Sequence, residues 1–476
     1  MKTLLPFALL LTTALLSAAD PAKPLDLGSR WELFLDEHLI AKKEGVSLKL
    51  HEPVRREVVL TTDKPWEGPT CAYFSAVQDG KKVRLYYRGS SGGSDHSADQ
   101  VTCVVESEDG IHFTRPNLNL IEAGGTKENN VLWRGVESHN FAAFLDTNPA
   151  ARPEERFKAL GGVKQPGKNW QTGETPGGLY AFASADGLTW RKMRPETVMT
   201  KGAFDSQNIA FWDAPNNRYT SYTRIFSNRT RAIQSSSSPD FLSWGDSTQN
   251  RYAEDAPREH FYTSATVPCP TAPHLYLAFP KRFVQTRKKI PDHKIGGVSD
   301  TIFMTSRDGV KWDRPFLEAW LRPGPDPLNW TDRNNMVASG IVETGPGEWS
   351  LYASEHYRYP DHRLRRLTVR KQGFASVHAD ARGGEFVTPP LTFTGQKLLL
   401  NYATSASGSV QIEIQDASGQ PLPGFALTDM AELYGDEFEA AATWKNGTSL
   451  STLNGQTVRL RIVLRDADLY ALRFAE

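Results

Sequence analysis

Cysteine is scarce in this sequence, with only Cys71, Cys103 and Cys269 among 476 residues. So few cysteines exclude a small scaffold held together by disulfides, and the odd number leaves at least one thiol free. Cys71 and Cys103 both lie in strand-like segments, where a disulfide and two buried free thiols are the alternatives. No CxxC or HExxH pattern is present either, so the sequence predicts no zinc site.

An excess of charge of one sign is also lacking. Lysine plus arginine and aspartate plus glutamate number 55 each, and the isoelectric point is near 7.2. This balance gives no electrostatic basis for binding nucleic acid or an anionic membrane. Aromatic residues, by contrast, are plentiful, with 12 Trp, 15 Tyr and 23 Phe. They favour a β-rich core or surfaces that stack against sugar rings.

Long apolar runs are absent except at the N-terminus. Lys2 precedes the apolar run Leu4–Leu16, and the small residues Ser17, Ala18 and Ala19 follow it. This pattern predicts a secretory signal peptide over residues 1–19, and therefore a secreted or periplasmic protein. The run is too short for a good membrane span, so no membrane association is expected after cleavage.

Convincing helical periodicity is hard to find after the signal, whereas strand-like runs bounded by turn residues are frequent. One turn pattern, Ser-x-Asp-(Gly)-x-x-aromatic, occurs four times, at Ser107–Phe113, Ser184–Trp190, Ser238–Trp244 and Ser306–Trp312. Asp-Gly makes a tight turn between two outer strands, and the aromatic residue folds back over it. We therefore predict a structural role for these turns.

A second feature recurs in phase with the first. Strands headed by polar residues begin near Thr70, His139, Ser206, Tyr262 and Val337, and each is followed by a turn and a second strand. Together the two repeats predict an all-β fold, with a five-bladed β-propeller over residues 20–376. A series of β-sandwiches would explain the turns but not the phased strand starts. From residue 377 to 476, alternating strands without the turn pattern predict a C-terminal β-sandwich.

The strand starts are expected to meet at one mouth of the propeller funnel, although they are far apart in sequence. Carboxylates occur at three of them, in Glu67, Asp205 and Glu259. Cleavage of a glycosidic bond uses one carboxylic acid to protonate the leaving oxygen, and one carboxylate to attack or to activate water. The predicted mouth therefore carries the residue types that a glycosidase needs.

The blade count, the Ser-x-Asp-Gly-x-x-Trp turns and the acidic strand starts resemble the five-bladed propeller glycosidases, glycoside hydrolase families 32, 43, 62 and 68. The resemblance covers about residues 30–375. The C-terminal segment looks like the sandwich appended in family 32, and the whole chain looks like secreted bacterial family-32-like proteins without assigned activity.

The resemblance implies a catalytic role for each acidic strand start. Glu259 would be the general acid, Asp205 an orienting or stabilising carboxylate, and Glu67 the base or nucleophile. The Asn-Asp-Pro-Asn-Gly motif of family 32 is missing, and Asp36 in Phe34–His38 is the rival for the role of Glu67. Three of these carboxylates also have a structural alternative: an arginine ion pair for Glu259, a turn cap for Asp205 and the end of a strand for Asp36.

The partner expected at this mouth is a carbohydrate. The residues predicted to bind it are Trp66, Arg88, His139, Asn140, Gln207, Arg224, His260, Tyr262 and Asn335. Arg88, Arg224 and Arg282 are alternatively suited to an anionic substituent such as a sulfate or a uronate. No metal or other cofactor is predicted, and a calcium ion on the propeller axis is left open.

The same residues are compatible with other functions. A non-catalytic carbohydrate-binding propeller would show the aromatic and asparagine residues without two close carboxylates. A sialidase-like enzyme would need an arginine triad, a tyrosine nucleophile and usually six blades. A glycan phosphorylase or transferase on the same fold is the last alternative.

Overall fold

The computed structural model describes residues 23–90, 100–162, 178–445, 447 and 449–476, so the predicted signal peptide lies outside the described residues. Within those ranges the strands form five four-stranded sheets, one three-stranded sheet and one ten-stranded sheet. Helical structure there is limited to short 3-10 segments, at Val136–His139, Pro153–Glu155, Ala214–Asn216, Pro327–Asn329, Leu427–Asp429 and Ser451–Leu453. The all-β prediction is therefore confirmed.

The four-stranded sheets, named sheets 1 to 5, follow one another along the chain, and neighbouring strands within each are antiparallel. Sheet 1 contains Ala72–Asp79, Lys82–Ser90, Gln100–Ser107 and Val131–Arg134. Sheet 2 contains Ala142–Leu145, Phe157–Gly162, Leu179–Ser184 and Arg191–Lys192. Sheet 3 contains Ile209–Asp213, Arg218–Ser227, Thr230–Ser238 and Thr248–Gln249. Sheet 4 contains Val267–Cys269, Ala272–Ala278, Met304–Ser306 and Trp312–Asp313.

Sheet 5 takes its outer strand from the opposite end of the chain. Its first three strands are Val342–Gly345, Glu348–Glu355 and Arg363–Arg370, and the fourth is Val54–Thr61. The first strand of sheet 1 also lies beside the segment that leads into sheet 5, because Ser75 and Ser339 form a parallel bridge. Strand pairing therefore joins the early and late parts of this region.

The first strands of these sheets surround a small, mostly apolar pocket. Each of the five sheets, or the segment leading into it, contributes to its lining, through Ala76, Ala142, Ile209, Val267 and Gly340. These lining residues are small or apolar, and the polar residues lie in the segments just before the strands. The first strands of all five sheets, or the segments leading into them, consequently line one pocket.

The recurrent turns tie neighbouring sheets together, as their predicted structural role requires. In the first turn Asp109 Oδ1 accepts hydrogen bonds from the backbone N–H groups of Ile111 and His112, both at 2.8 Å. The glycine carbonyl of three turns accepts a tyrosine hydroxyl from another sheet, in the pairs Tyr352–Gly110, Tyr86–Gly187 and Tyr222–Gly309. These glycines adopt φ near +70°, which favours glycine in the turn.

The three-stranded sheet extends sheet 4 beyond a bend at Pro280. It contains His260–Phe261, Lys281–Val284 and Val298–Thr301. Proline lacks the N–H that a continuous ladder would use, so the strand Ala272–Ala278 stops and resumes at Lys281 with a new partner. This change of direction carries Lys281 and His260 to the polar strand starts.

The ten-stranded sheet combines both ends of the described chain. Its strands are Leu25–Gly28, Glu32–Leu33, Lys42–Glu44, Val46–Leu50, Ala375–Ala379, Gly384–Val387, Leu391–Phe393, Lys397–Asp416, Asp436–Ala441 and Val458–Ala475. In the last strand, Val458, Leu460, Ile462 and Leu464 are buried and alternate with more exposed residues, the period that a one-sided sheet requires.

The pairing of the N-terminal strands differs from the predicted division at residue 376. The sequence places residues 25–50 in the propeller, whereas their strands pair with C-terminal partners, for example Val46 with Ala379 and Leu25 with Leu391. Burial explains the difference, because Leu27, Phe34 and Leu39 belong to the same apolar cluster as the C-terminal strands.

The three cysteines are buried free thiols, so the structure favours that alternative over a disulfide. Burial raises the pKa of the Cys269 thiol to about 11 and raises the pKa values of the other two. They act as small apolar core residues. Among the described residues, no helix reaches the length and apolarity that crossing a membrane requires.

Candidate functional site

Asp205 lies at the start of sheet 3 and contacts a residue that precedes sheet 2. Its Oδ1 atom is 2.6 Å from Nε2 of His139, and its Oδ2 atom is 3.9 Å from Nη2 of Arg224. The carboxylate keeps 15% of its side-chain surface exposed, whereas His139 keeps 4%. Asp205 is therefore a nearly buried carboxylate that still reaches solvent.

The charges around Asp205 keep it ionised. Burial by itself would raise the pKa of this carboxyl group. The hydrogen bond and charge of His139, followed by the charges of Arg224 and Arg333, outweigh burial and hold the pKa well below its usual range. An ionised carboxylate can orient sugar hydroxyls or stabilise positive charge, but it has no proton to donate.

His139 is held from its other side as well. Its Nδ1 atom is 2.9 Å from Oε1 of Gln100 and 3.5 Å from Nη1 of Arg88. Arg88 is buried and donates from Nη2 to the carbonyl of Thr70 at 2.8 Å and to the hydroxyl of Tyr357 at 3.1 Å. The antiparallel register pairs Arg88 with Ala72, which places it at the start of sheet 1.

Three tyrosines fill the space between the strand starts. The hydroxyls of Tyr73 and Tyr262 are 2.9 Å apart, and Tyr357 lies in the same buried cluster. Tyr73 has φ of +57°, an outlier for a bulky residue. Such strain persists only where the surroundings impose it, and it is common at functional sites. The tyrosines therefore form a rigid base for this site.

A second carboxylate, Asp332, precedes sheet 5. It contacts Arg358 at 3.3 Å and His293 at 3.4 Å, and Arg333 is 3.7 Å away. Burial would raise the pKa of Asp332, but the His293 hydrogen bond and the arginine charges lower it to about 2. The nearby Lys281 donates to the carbonyl of Asp332 at 2.7 Å. Burial, and then the charge of Arg333, lower the pKa of Lys281 well below its ordinary value.

The structure thus brings together five of the predicted residues in one cluster: Arg88, His139, Asp205, Arg224 and Tyr262. His260 joins its edge, since its Nδ1 atom is 3.3 Å from Nη1 of Arg231, and Arg231 lies over the Tyr262 ring. Burial, followed by the charge of Arg231, lowers the pKa of His260. The name polar cluster is used below for the following residues: Arg88, His139, Asp205, Arg224, His260, Tyr262, Tyr73, Arg231, Lys281, Asp332, Arg333, Tyr357 and Arg358.

Gln207 lies between the first strand of sheet 1 and the segment that leads into sheet 5. Its Nε2 atom donates to the carbonyl of Phe74 at 2.7 Å and is 3.2 Å from the hydroxyl of Ser339, so it connects sheet 3 to sheets 1 and 5. The side chain is buried, with only 2% of the residue exposed. These contacts favour a structural role over the predicted contact with substrate.

Three other predicted binding residues also make internal contacts. Asn140 accepts from the N–H of Gly162 at 2.6 Å, and Trp66 donates to Asn130 at 2.8 Å. Asn335 donates to the carbonyl of Ser299 at 3.0 Å. All three are buried, so their hydrogen bonds fix loops and strands around the polar cluster.

The other predicted catalytic carboxylates are held in ion pairs of their own. Glu259 binds Nη1 of Arg282 at 2.9 Å and Nη2 of Arg314 at 2.5 Å. Arg282 also binds Asp300 at 2.7 Å. Its guanidinium, which the sequence suggested as a partner for an anionic substituent, is therefore already paired with carboxylates. Both oxygens of Glu259 therefore face arginines, as its structural alternative predicted.

Glu67 and Asp36 are paired in the same manner. Glu67 is fully buried, accepts two hydrogen bonds from Arg115 at 2.8 Å and accepts one from Tyr87 at 2.5 Å. Asp36 binds Arg307 at 2.8 Å. The catalytic roles of these residues and of Glu259 stay predictions, and their contacts favour structural roles.

The sequence reading missed Asp332, Arg333, Lys281, Arg231 and Arg358. A signal was present for the first two, because Thr331–Asn335 is a run of polar residues just before the apolar start of sheet 5. Lys281, Arg231 and Arg358 lie in second or third strands and their turns, where local sequence does not show that a side chain reaches the cluster. In the described part of the chain, no group of three or more His, Cys, Asp or Glu side chains could hold a metal ion.

Comparison with known proteins yields structural matches only. No family model matches the chain, and no curated protein does. An N-acetylgalactosamine deacetylase from F. plautii, in complex with blood group B trisaccharide, has a TM-score of 0.47 at 12% identity over 69% of this chain and 96% of that one. The GH32 β-fructofuranosidase of Bombyx mori has 0.41 at 10% identity, over 90% and 94%. A β-1,2-mannobiose phosphorylase from Listeria innocua has 0.43 at 12% identity, over 68% and 98%. At these similarities the matches assign neither a family nor an activity to this chain.

Proposed function

We propose that this chain is a secreted glycosidase that cleaves an oligo- or polysaccharide at the polar cluster. In this proposal sheets 1 to 5 are the five blades of a propeller, and the ten-stranded sheet is an appended sandwich. The carrying observation is the pair of Asp205 and His139, which joins two strand starts beside solvent and holds the carboxylate ionised.

Asp205 suits the orienting or stabilising role that the sequence suggested. The transition state of glycoside hydrolysis develops positive charge on the sugar ring, which a fixed, ionised carboxylate stabilises. His139 fixes the direction of the carboxylate, and Gln100 and Arg88 in turn fix His139. A preorganised charge of this kind needs no rearrangement as the reaction proceeds.

In this proposal Glu259 is the general acid, and either Glu67 or Asp36 is the base or nucleophile. Glu259 and either Glu67 or Asp36 keep these roles only if substrate binding displaces their arginine partners. The experiment that tests the proposal is a screen of the mature protein against diverse plant and marine polysaccharides, with product analysis. Any glycan that is cleaved is then offered to Asp205→Asn and Glu259→Gln variants; full activity in both would refute the proposed centre.

A non-catalytic carbohydrate-binding protein is the second candidate. It is favoured by a specific observation, since Glu259, Glu67 and Asp36 are all bound by arginines and do not contact Asp205. Glycan arrays separate the two candidates. Binding without cleavage, abolished by Asp205→Asn, would support the binding protein.

A further inference from the structure

Arg231 is a half-buried arginine whose charge has no carboxylate of the described residues within ion-pair distance. It is the second residue of the third strand of sheet 3, and its guanidinium carbon lies 5.6 and 5.2 Å from the ring centroids of Phe226 and Phe283. Its Nη1 atom faces Nδ1 of His260 at 3.3 Å, and its buried Nε atom has no hydrogen-bond partner in the described part of the chain. A buried cation without a counter-ion is costly, so its surroundings favour an anion.

Arg224 on the adjacent strand is also incompletely bound. Its Nε atom donates to the carbonyl of Ala203 at 3.0 Å. Its buried Nη2 atom makes no hydrogen bond to a described residue and is 3.9 Å from Asp205. Asp205 accepts its short hydrogen bond from His139 instead. One carboxylate is therefore shared by several cations.

The ring of Tyr262 lies close to both of these arginines and to Lys281. The guanidinium carbons of Arg224 and Arg231 are 5.0 and 5.8 Å from its centroid, and the ammonium of Lys281 is 4.3 Å away. The ring quadrupole attracts each cation but cannot replace an anion for all of them. Burial, followed by the charge of Arg224, lowers the pKa of Arg231, although Tyr262 and Asp205 act in the opposite direction.

We infer that Arg231 and Arg224 form a subsite for an oxyanion carried by the carbohydrate substrate, either a sulfate ester or a uronate carboxylate. A guanidinium presents paired N–H donors that match both groups, and the aromatic rings around Arg231 fix its plane. The oxyanion would lie against the partly exposed guanidinium of Arg231, and the charge of the buried Arg224 beside it would add to the attraction. This inference rests on the proposed function, because it names the substrate class of the polar cluster.

Isothermal titration of the mature protein tests the subsite without turnover. The probes are galacturonate, galactose 6-sulfate, galactose, inorganic sulfate and inorganic phosphate. We expect an anionic sugar to bind more tightly than galactose and both inorganic anions. Arg231→Gln should weaken that binding by about tenfold to a hundredfold, the usual effect of losing charge-assisted hydrogen bonds.

Arg229→Gln is the matched control. Arg229 lies in the same hairpin turn but is exposed, so this variant removes the same charge and should change the affinity by less than about twofold. An equal loss in both variants would overturn the subsite, and so would unchanged binding in Arg231→Gln. Tighter binding of inorganic phosphate than of either anionic sugar would overturn the substrate assignment in favour of free phosphate.

A second measurement uses only the wild-type protein and does not depend on whether Arg231→Gln folds. Phenylglyoxal labels accessible arginines, and mass spectrometry of peptides locates the label. A saturating anionic sugar should protect Arg231 and leave Arg229 labelled; equal labelling of Arg231 with and without the sugar would overturn the inference. Loss of cleavage in Asp205→Asn together with unprotected Arg231 would leave the proposed glycosidase standing and remove the oxyanion subsite alone.

Discussion

Nε2 of His139 lies 2.6 Å from Oδ1 of Asp205, although 66 positions separate the two residues in the chain. Each residue just precedes the first strand of its sheet, and the packing of those two strands against each other brings the positions together. The contact fixes a carboxylate that is ionised, nearly buried and still partly open to solvent. This combination makes Asp205 the most informative residue to change.

Replacing Asp205 with Asn should remove the charge and keep the shape. We expect kcat to fall by about 10² to 10³, the usual effect of losing one preorganised electrostatic group. Initial rates on a cleaved glycan measure it. Asp213→Asn is the control, because Asp213 is a buried carboxylate at the other end of the same strand; it should lower the melting temperature and keep kcat. Equal rates for Asp205→Asn and wild type would rule out the role.

Replacing Glu259 with Gln separates its two predicted roles. Because both oxygens contact arginines, we expect the free energy of unfolding to fall by about 1–3 kcal/mol while kcat stays within a few-fold of wild type. Urea titration and initial rates measure the two quantities. A loss of kcat comparable to that of Asp205→Asn, with unchanged stability, would instead identify Glu259 as the general acid.

The pH dependence of stability should reveal the buried pairing of Asp332. Its folded pKa is lowered to about 2, below the value near 3.9 of an unfolded aspartate. A lowered folded pKa adds stability above the unfolded pKa, and this stability is lost as the pH falls from about 4 to 2. We expect Asp332→Asn to cost about 2 kcal/mol at neutral pH.

The same variant should lose less stability than wild type between pH 4 and 2. Urea titrations at pH 7, 4 and 2.5 compare the two proteins. Parallel loss of stability in both would show that Asp332 does not titrate as the structure indicates. Any protein already unfolded at pH 2.5 is compared at pH 3 instead.

The tyrosine-to-turn contacts should contribute to stability and not to activity. Tyr222→Phe removes the hydroxyl that donates to the carbonyl of Gly309 at 2.9 Å, and Tyr86→Phe removes the equivalent contact with Gly187. Each should cost about 1 kcal/mol, and the costs should add because the sites are separate. Thermal melts measure them. Tyr434→Phe, at a residue that is 72% exposed, should change nothing.

The Gln207→Ala variant tests whether the Gln207 side chain binds substrate or connects the sheets. The structure predicts a loss of about 1–3 kcal/mol in the free energy of unfolding, because the variant leaves the Phe74 carbonyl without this donor. KM for a cleaved glycan should stay unchanged. A raised KM with wild-type stability would restore the substrate contact that the sequence suggested.

Local features were predictable from the sequence, and particular residues show why. The Ser-x-Asp-Gly turns rest on hydrogen bonds within a few residues, such as that from Ser107 to Asp109 at 2.8 Å, so composition alone specifies them. The alternation in Val458–Ala475 likewise follows from the period of a strand. The pairing of residues 25–50 with C-terminal strands was not predictable, because no local pattern names a partner hundreds of positions away.

The sequence by itself determined that this protein is all-β, where its repeated turns lie and that polar residues head several strands. These depend on backbone conformation and on the period of apolar residues, both of which act over a few positions. Only the tertiary structure decided the partner of each polar residue. In the folded chain Glu259, Glu67 and Asp36 pair with arginines, whereas Asp205 lies beside His139. Ion pairing falls off steeply with distance, and distances between sheets are set by packing rather than by sequence position.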